Sequence, residues 1–324
     1  MPVTVGVDGG GTKVLAGIVD ERGTVVERVR VQTDRDNGTG SVLRALEELL
    51  GGGAEPAAIG VGLAGFVKQP EGRVMFSPNV AYHPADVGRA VAERLGLPVV
   101  VDNDANAACW GERVHGAGRG CAELVLVTVG TGVGGGIVSG GRLLRGGNGY
   151  AGEIGHMTIM DGGPPCACGR HGCVEALASG TAIARMAREG LGSAPDSILL
   201  ELAGENPGRI TGALVTEAAR AGDEFAIEVL GRAGRALGVC FANLTNVLDP
   251  ELILVGGGAA AGAGWFLMEP ARLELVRRVA DRREPPELAM ASLGPDAGMV
   301  GAAALARSAV PAGSVPGGPG LARA

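Results

Sequence analysis

Three cysteines and two histidines lie close together near the middle of the chain. Cys166, Cys168 and Cys173 fall within eight residues, with His171 among them and His156 ten residues before the first. Three thiolates and one imidazole form a complete tetrahedral ligand set for zinc and leave no coordination position for a substrate. The spacing therefore predicts a structural zinc site whose fourth ligand is His156 or, as the alternative, His171.

Glycine-rich turns separate pairs of β-branched segments at corresponding places in the two halves of the chain. These segments and turns are 3–7, 8–12 and 14–19 in the first half, and 124–129, 130–136 and 137–138 in the second. The first turn nearly matches a P-loop, but a P-loop must open a helix, and the residues after Lys13 are typical of a strand. Glycine hairpins still let backbone amides approach phosphate oxygens. We therefore interpret both turns, and a third at 256–258, as nucleotide-binding.

Acidic residues follow two predicted strands. Asp8 ends the first strand, where a carboxylate can hold Mg²⁺ through water. Asp102, Asn103 and Asp104 stand where the strand 99–101 ends and a helix begins, an edge of α/β sheets that commonly bears ligands. Helix capping accounts for at least one of these three side chains. Because phosphoryl transfer needs a carboxylate near the attacking hydroxyl, an Asp at this position is a candidate general base.

Hydrophobic periodicity indicates the elements that must position these residues. Helices are predicted at about 86–95, 225–247, 270–280 and 299–308, and further strands at 99–101 and 252–255. The repeated strand, turn and strand suggest the α/β, ribonuclease-H-like, duplicated two-domain architecture of actin-type ATPases, with ATP in an interdomain cleft. We expect a small domain at 1–105 against which 299–308 packs, a large domain at 106–298 carrying the zinc loop, and a flexible tail at 309–324.

Composition excludes several classes of protein. The formal net charge is -7, and no cluster of Lys and Arg suggests a nucleic-acid partner. No apolar run approaches the roughly 20 residues that span a bilayer. The cysteines outside the cluster, Cys109, Cys121 and Cys240, lie in apolar or helical surroundings and do not suggest a secreted disulfide framework. We therefore expect a cytoplasmic protein without a membrane partner.

Several motifs together resemble the ROK family, named for its repressors, open reading frames and kinases, and within it the bacterial glucokinases. The most specific are Gly152-Glu153-Ile154-Gly155-His156 and the pattern Cys-x-Cys-Gly-x-x-Gly-Cys-x-Glu at 166–175. The other matching segments are Leu63-Ala64-Gly65, Pro78-Asn79, Asn103-Asp104-Ala105-Asn106-Ala107 and Gly130-Thr131-Gly132. The resemblance extends over residues 3–308.

The resemblance implies ATP-dependent phosphorylation of a hexose at its 6-hydroxyl, with Asp104 as the catalytic base. Glucose is the implied substrate, and mannose, N-acetylglucosamine and N-acetylmannosamine are the alternatives. The residues implied to bind the sugar are Gly65, Asn79, Asn103, Asp104, Glu153, His156 and Glu175. Those implied to surround ATP and Mg²⁺ are Asp8, Gly11, Thr12, Lys13, Thr131, Gly132, Gly257 and Gly258. The implied zinc ligands are His156, Cys166, Cys168 and Cys173.

The resemblance also implies a homodimer or homotetramer, and it leaves polyphosphate open as an alternative to ATP. A sugar-responsive repressor and an inactive sugar sensor are the competing functions. Family repressors carry a winged helix before the kinase-like body, whereas the first phosphate strand here begins at Val3. An inactive sensor is expected to lose the base or a phosphate turn, and Asp104 and both turns are present. We therefore expect an active kinase.

Overall fold

The chain folds into two compact units. The computed structural model describes residues 3–69, 71–77, 79–280 and 283–309. Unit 1 consists of the described residues of Met1–Gly120, Leu143–Ala151 and Asp296–Ala324, and unit 2 of those of Cys121–Arg142 and Gly152–Pro295. Among the described residues, no helix has the length and apolar character needed to span a bilayer.

The elements in the first part of the chain are β1 (Thr4–Gly9), β2 (Lys13–Val19), β3 (Val25–Gln32), α1 (Gly38–Leu50), β4 (Ile59–Leu63), β5 (Phe66–Lys68), β6 (Arg73–Phe76), α2 (Val87–Leu95), β7 (Val99–Asn103) and α3 (Asp104–Val114). They continue with β8 (Leu124–Val129), β9 (Val133–Ser139), β10 (Arg142–Leu143), α4 (Val174–Ala178), α5 (Gly180–Gly190), α6 (Leu199–Leu202), α7 (Gly212–Arg220) and α8 (Glu224–Leu248). The last are β11 (Leu252–Gly256), α9 (Gly258–Ala263), α10 (Trp265–Arg278), β12 (Glu287–Met290) and α11 (Ala297–Ala309).

The main sheets of the two units have the same strand order and the same directions. In unit 1 the order is β3-β2-β1-β4-β7, and in unit 2 it is β10-β9-β8-β11-β12. The first long hairpin of each sheet is antiparallel, β1 with β2 and β8 with β9. The following strands are parallel, β4 and β7 in unit 1 and β11 and β12 in unit 2. This repetition confirms the duplicated ribonuclease-H-like α/β fold predicted from the sequence.

The last helix, α11, belongs to unit 1. It packs on the sheet where two strands carry glycine, since a Cβ at Gly6 or Gly60 would overlap the carbonyl oxygens of Met299 and Ala302. It also crosses α3 closely at Gly111 and Gly301. Missing side chains at these crossings let the backbones approach, so that α11 covers β1, which contains Asp8, and β7, which ends at Asn103.

The core of unit 2 is built around α8, which contacts α10 along most of its length. Gly234 and Gly238 face α10, and a Cβ on Gly238 would lie 2.5 Å from the carbonyl oxygen of Ala271. α8 ends at Asp249, whose left-handed backbone has a φ of 49°. This is where the Asp-Pro pair predicted a stop.

Several boundaries differ from those expected. The helix predicted from about 270 begins at Trp265 and contains Pro270, because packing against α8 outweighs the backbone hydrogen bond that proline cannot make. The domain boundary expected at residue 105 falls inside α3, which lies wholly in unit 1. Of the predicted tail at 309–324, Ala309 ends α11, and the remainder lies outside the described residues.

Candidate active site and metal centre

The junction of β7 and α3 holds three consecutive polar residues with three different roles. Asn103 is the cap of α3, because its Oδ1 accepts hydrogen bonds from the N–H groups of Ala105 and Asn106 at 2.8 and 3.0 Å. Asp102 is 2% exposed and pairs with Arg145, whose Nε lies 2.7 Å from Asp102 Oδ2. Capping and ion pairing therefore account for two of the three residues, and Asp104 remains as the candidate base.

Two carboxylates of unit 1 carry raised pKa values. Burial and then the neighbouring Asp104 carboxylate raise the pKa of Asp8 to about 7, although the Lys13 ammonium lowers it. Burial also raises the pKa of Asp104, although hydrogen bonds from the Ala105 N–H and Asn103 oppose the shift. Tyr82 belongs to the same cluster, since burial and then the charges of Asp104 and Asp8 raise the pKa of its hydroxyl. Paired carboxylates with raised pKa values are typical of sites that take up protons or cations.

The first glycine turn joins β1 to β2 as a hairpin, as predicted. Gly10 N–H donates to the carbonyl oxygen of Lys13 at 3.1 Å, and the Thr33 hydroxyl donates to the Gly10 carbonyl at 2.8 Å. A Cβ on Gly11 would lie 3.2 Å from the Cβ of Asn79. The turn therefore lies against Asn79, one of the residues assigned to the sugar, while Thr12 is exposed.

Gly65 has a backbone conformation that side chains disfavour, with a φ of 137°. A Cβ there would overlap the carbonyl oxygen of Phe76. Its own carbonyl accepts a hydrogen bond from Asn103 Nδ2 at 3.1 Å. The structure thus brings Gly65 together with Asn103 and Asp104, three of the residues predicted to bind sugar.

The second glycine turn joins β8 to β9 and is held by side chains that follow the cysteine cluster. Glu175 Oε2 accepts a hydrogen bond from the Val133 N–H at 3.0 Å, and a Cβ on Gly132 would overlap the same oxygen. The Thr181 hydroxyl donates to the carbonyl of Thr131 at 2.8 Å. The start of α5 and the Glu175 carboxylate thereby fix the turn.

A cavity of about 940 Å³ lies in unit 2 beside this turn, within the range of small-molecule sites. It is lined by Thr131 of the second turn, by Gly258 of the third, and by the first residues of α5 and α7. Gly132 and Gly257, predicted at the same site, do not line it. Gly257 has a φ of 90° and packs tightly against the backbone of Val129, so it shapes the third turn. That turn leads directly into α9.

Sequence reasoning missed most of the cavity wall. The missed residues with polar side chains are Thr181, Arg188, Thr211, Thr216, Glu217 and Arg220. A local signal was present, since Ser179 and Thr211 cap α5 and α7 and each precedes a glycine that opens a helix. The pair of Asp102 with Arg145 was also missed, because the two residues are 43 positions apart.

The predicted zinc ligands come together in unit 2. Ligand atoms of His156, Cys166, Cys168 and Cys173 all lie within 4.8 Å of one another. Cys168 Sγ is 3.7 Å from Cys173 Sγ, and Cys166 Sγ is 3.8 Å from His156 Nδ1. Tetrahedral zinc with Zn–S bonds of about 2.3 Å requires S···S separations of about 3.8 Å, so the four residues fit zinc. His171, the alternative ligand, is not a member of this group.

The short 3₁₀ helix Ile154–His156 positions the histidine of this cluster. It follows Gly152, whose φ of 91° marks a turn that side chains disfavour, and Glu153 immediately precedes it. A Cβ on Gly155 would overlap the carbonyl of Val133, so the helix lies against β9. Glu153, His156 and Glu175 therefore share unit 2, whereas Gly65, Asn79, Asn103 and Asp104 share unit 1.

The chain is similar over nearly its whole length to known sugar kinases. The glucokinase of Streptomyces coelicolor is 38% identical over 318 residues, which cover 96% of this chain and 99% of the relative. The glucokinase of Halalkalibacterium halodurans is 40% identical over 310 residues, 92% of each chain. A crystal structure of a ROK family glucokinase from Streptomyces griseus in complex with glucose and AMPPNP has 38% identity and a TM-score of 0.85, over 94% of this chain and 99% of that chain.

The family to which the chain belongs is shown by a match that covers all but the two ends of the sequence. Residues 4–309 match the ROK family, and this segment contains both strand, turn and strand repeats and the whole cysteine cluster. The resemblance read from the motifs is confirmed. The chain belongs to the ROK family.

Proposed function

We propose that the protein transfers the γ-phosphoryl group of ATP to the 6-hydroxyl of glucose. The observation that carries this function is the pair of carboxylates Asp104 and Asp8, which both have raised pKa values. Asp8 lies near the end of β1 and Asp104 directly follows β7, and β4 lies between these two strands in the sheet of unit 1. Asp104 is suited to accept a proton, and Asp8 is suited to bind a cation. The similarity to glucokinases over the whole chain supports the same activity.

Asp104 acts as the general base. Its carboxylate takes the proton of the sugar 6-hydroxyl while the hydroxyl oxygen forms a bond to the γ-phosphorus. The bond from that phosphorus to the bridging oxygen breaks, and ADP leaves with the electron pair. A raised pKa makes Asp104 a stronger base than an exposed Asp, which favours proton removal near neutral pH.

Asp8 and Lys13 provide the charges for the phosphates. Mg²⁺, when bound, supplies neutralisation of charge on the β- and γ-phosphates. The donor set fits such a cation, because Asp8 is a half-buried carboxylate whose charged form is disfavoured by burial and by Asp104. Lys13, in the strand that follows the first turn, adds a donor for phosphate oxygens.

ATP is held by the glycine turns and the unit 2 cavity. The cavity has room for a nucleoside, and Thr131 and Gly258 line it. Backbone amides of the turns at Gly11, Thr12, Gly132 and Gly257 are suited to phosphate oxygens because no side chain, or only a small one, blocks their approach.

Zinc orders the sugar-binding residues of unit 2. His156 Nδ1 lies 3.8 Å from Cys166 Sγ, so this nitrogen would bind the metal and Nε2 would be left for a sugar hydroxyl. Glu153 and Glu175 flank the cluster and supply acceptors for vicinal hydroxyls. Gly65, Asn79 and Asn103 are further residues proposed to bind sugar hydroxyls. Zinc is structural in this proposal, because four protein ligands fill its tetrahedron.

We propose a homodimer or homotetramer as the oligomeric state and the cytoplasm as the location. The oligomeric state rests on the family resemblance, and the location rests on the composition of the chain. Light scattering of the purified chain tests the first, since a monomer at micromolar concentration would contradict it.

A coupled assay tests the function across four sugars and two phosphoryl donors. The sugars are glucose, mannose, N-acetylglucosamine and N-acetylmannosamine, and the donors are ATP and polyphosphate. We expect the highest kcat/KM with glucose and ATP. Preference for an N-acetylated sugar would contradict the substrate, and failure with all four sugars would contradict the kinase. Preference for polyphosphate would contradict the donor.

A further inference from the structure

Asp102 is a buried carboxylate with three donors around it. It is 2% exposed, and Arg145 Nε lies 2.7 Å from its Oδ2. Its Oδ1 accepts hydrogen bonds from the Asn103 N–H at 2.8 Å and from Asn106 Nδ2 at 3.0 Å. A charge with so little access to water is stable only when it is paired and hydrogen-bonded, and Arg145 supplies the pairing charge.

The donors of both hydrogen bonds to Asp102 Oδ1 belong to residues at the start of α3. Asn103 is the cap of that helix, and Asn106 lies in its first turn. Asn103 Nδ2 in turn donates to the carbonyl of Gly65. The Asp102 carboxylate therefore ties strand β7 to the first turn of α3, and Asp104 is the residue held between these bonds.

Arg145 is itself fixed by the segment that carries it. Leu143–Ala151 belongs to unit 1, although the residues on both sides of it belong to unit 2. Gly149, with a φ of 83°, lies against the backbone of Val67, and the ring of Tyr150 lies 5.0 Å from that of Phe66. The arginine thus reaches Asp102 from a segment anchored on the β5–β6 hairpin.

We propose that Arg145 is a positioning residue for phosphoryl transfer, which through Asp102 holds the β7–α3 junction and thereby directs the Asp104 carboxylate. The proposal rests on the proposed function. Without the guanidinium, Asp102 is a buried carboxylate that has lost its charge partner, and this loss weakens the arrangement in which it bonds to Asn103 and Asn106. A shift of about 1 Å in a base lowers turnover by about 10²-fold.

Steady-state kinetics of Arg145→Gln, Arg145→Lys, Asp102→Asn and the double variant Asp102→Asn/Arg145→Gln test the proposal. We expect Arg145→Gln to lower kcat by about 10–100-fold and to leave the KM for ATP within about 2-fold, because the nucleotide cavity lies in unit 2. Arg145→Lys restores part of kcat, since an ammonium keeps the charge but loses the fork geometry. Arg94→Gln, which removes an exposed ion pair with Glu47, is the matched control and keeps wild-type kcat.

The double variant separates positioning from independent roles. If Arg145 acts through Asp102, the double variant is no slower than the slower single variant, whereas additive losses contradict the proposal. A rise in the KM for glucose at unchanged kcat would instead assign Arg145 to sugar contact and overturn it. Kinetics in Arg145→Gln equal to those of the wild type would overturn the positioning role but not the proposed function. Absence of activity in the wild-type protein itself would overturn both. Thermal melts of each variant establish that the assays measure folded enzyme, and Asp102→Asn keeps the test available if Arg145→Gln fails to fold.

Discussion

Glu175 Oε2 accepts a hydrogen bond from the backbone N–H of Val133 at 3.0 Å. Glu175 follows Cys173 by two residues at the start of α4, and Val133 begins the strand after the second glycine turn. The cysteine cluster and the second glycine turn are therefore joined by one carboxylate. A residue assigned to the sugar from sequence motifs also supports the turn that is predicted to bind the nucleotide.

Glu175→Ala is expected to raise the KM for both glucose and ATP. The substitution removes a proposed sugar acceptor and also the hydrogen bond that fixes Val133 and the turn before it. A hydrogen bond to a charged group contributes about 1.5–3 kcal/mol, so a change of about 10-fold or more is expected for each substrate. Glu189→Ala removes a carboxylate from an exposed ion pair on α5 and is the control. An unchanged KM for ATP would contradict the link.

Asp104→Asn is expected to lower kcat by about 10²–10⁴-fold, which is the contribution of a positioned base. The amide keeps the size of the side chain and its position in the first turn of α3, so glucose affinity should change little. Steady-state rates and calorimetric glucose titration measure the two effects. Asp36→Asn, at an exposed position, is the matched substitution. Near-normal turnover in Asp104→Asn would exclude the assigned role.

Asp8 makes the free protein less stable as the pH rises. Its folded pKa is about 7, whereas the ordinary value is 3.8. Between these values the folded state holds a proton that the unfolded state has lost, so the free energy of unfolding falls as the pH increases from about 4 to about 7. Asp8→Asn removes this dependence.

Thermal melts without nucleotide or Mg²⁺ measure the effect of Asp8→Asn. The Tm of the variant should exceed that of the wild type by a margin that grows with pH and levels off above about 7. Each kcal/mol corresponds to about 2–4 °C. A Tm difference that is the same at pH 4 and pH 8 would show that Asp8 titrates normally.

Cys168→Ser is expected to abolish zinc binding and weaken glucose binding. Loss of one thiolate leaves three of the four ligands at 156, 166, 168 and 173, and metal binding is coupled to the folding of the loop that carries His156. Elemental analysis and glucose titration measure the two effects. Cys240→Ala changes a buried cysteine of α8 outside the cluster and should retain one zinc per chain. Full zinc content in Cys168→Ser would refute the ligand set.

Two glycines of α8 should respond in opposite ways to alanine. A Cβ on Gly238 would lie 2.5 Å from the carbonyl oxygen of Ala271, so Gly238→Ala should destabilise unit 2 by about 1–3 kcal/mol through overpacking. A Cβ on Gly231 would come no closer than 3.4 Å, to the end of the Arg235 side chain. Gly231→Ala should therefore stabilise the helix by about 0.5–1 kcal/mol. Urea unfolding compares the two variants, and equal effects would contradict the packing argument.

Local pattern was sufficient for most of the fold. The hairpins around Asp8 and Gly130 and the helix ending at Asp249 depend on turn chemistry and periodicity that a short window contains. The predicted start of α10 was wrong because packing against Gly234 and Gly238 of α8 determines where that helix begins. No local pattern expresses that contact.

The candidate site was predictable where one motif holds several ligands. Cys166, Cys168 and Cys173 lie within one loop, so their spacing alone indicated zinc. Arg145 and Asp102 meet only through the tertiary fold, and the cavity wall comes from the starts of separate helices. Pairing between distant segments requires the three-dimensional structure.

The position of α11 determines when unit 1 is completed during synthesis. Its strands and α3 leave the ribosome first, yet the helix that covers them is the last one in the described chain. All of the unit 2 segments are translated in between. The surface of unit 1 around Gly6 and Gly60 can therefore be covered only after α11 has been translated. Unit 2 has all its residues available before α11 is made, so we expect its core to be able to form before that of unit 1, in contrast to the usual order of N-terminal domain first.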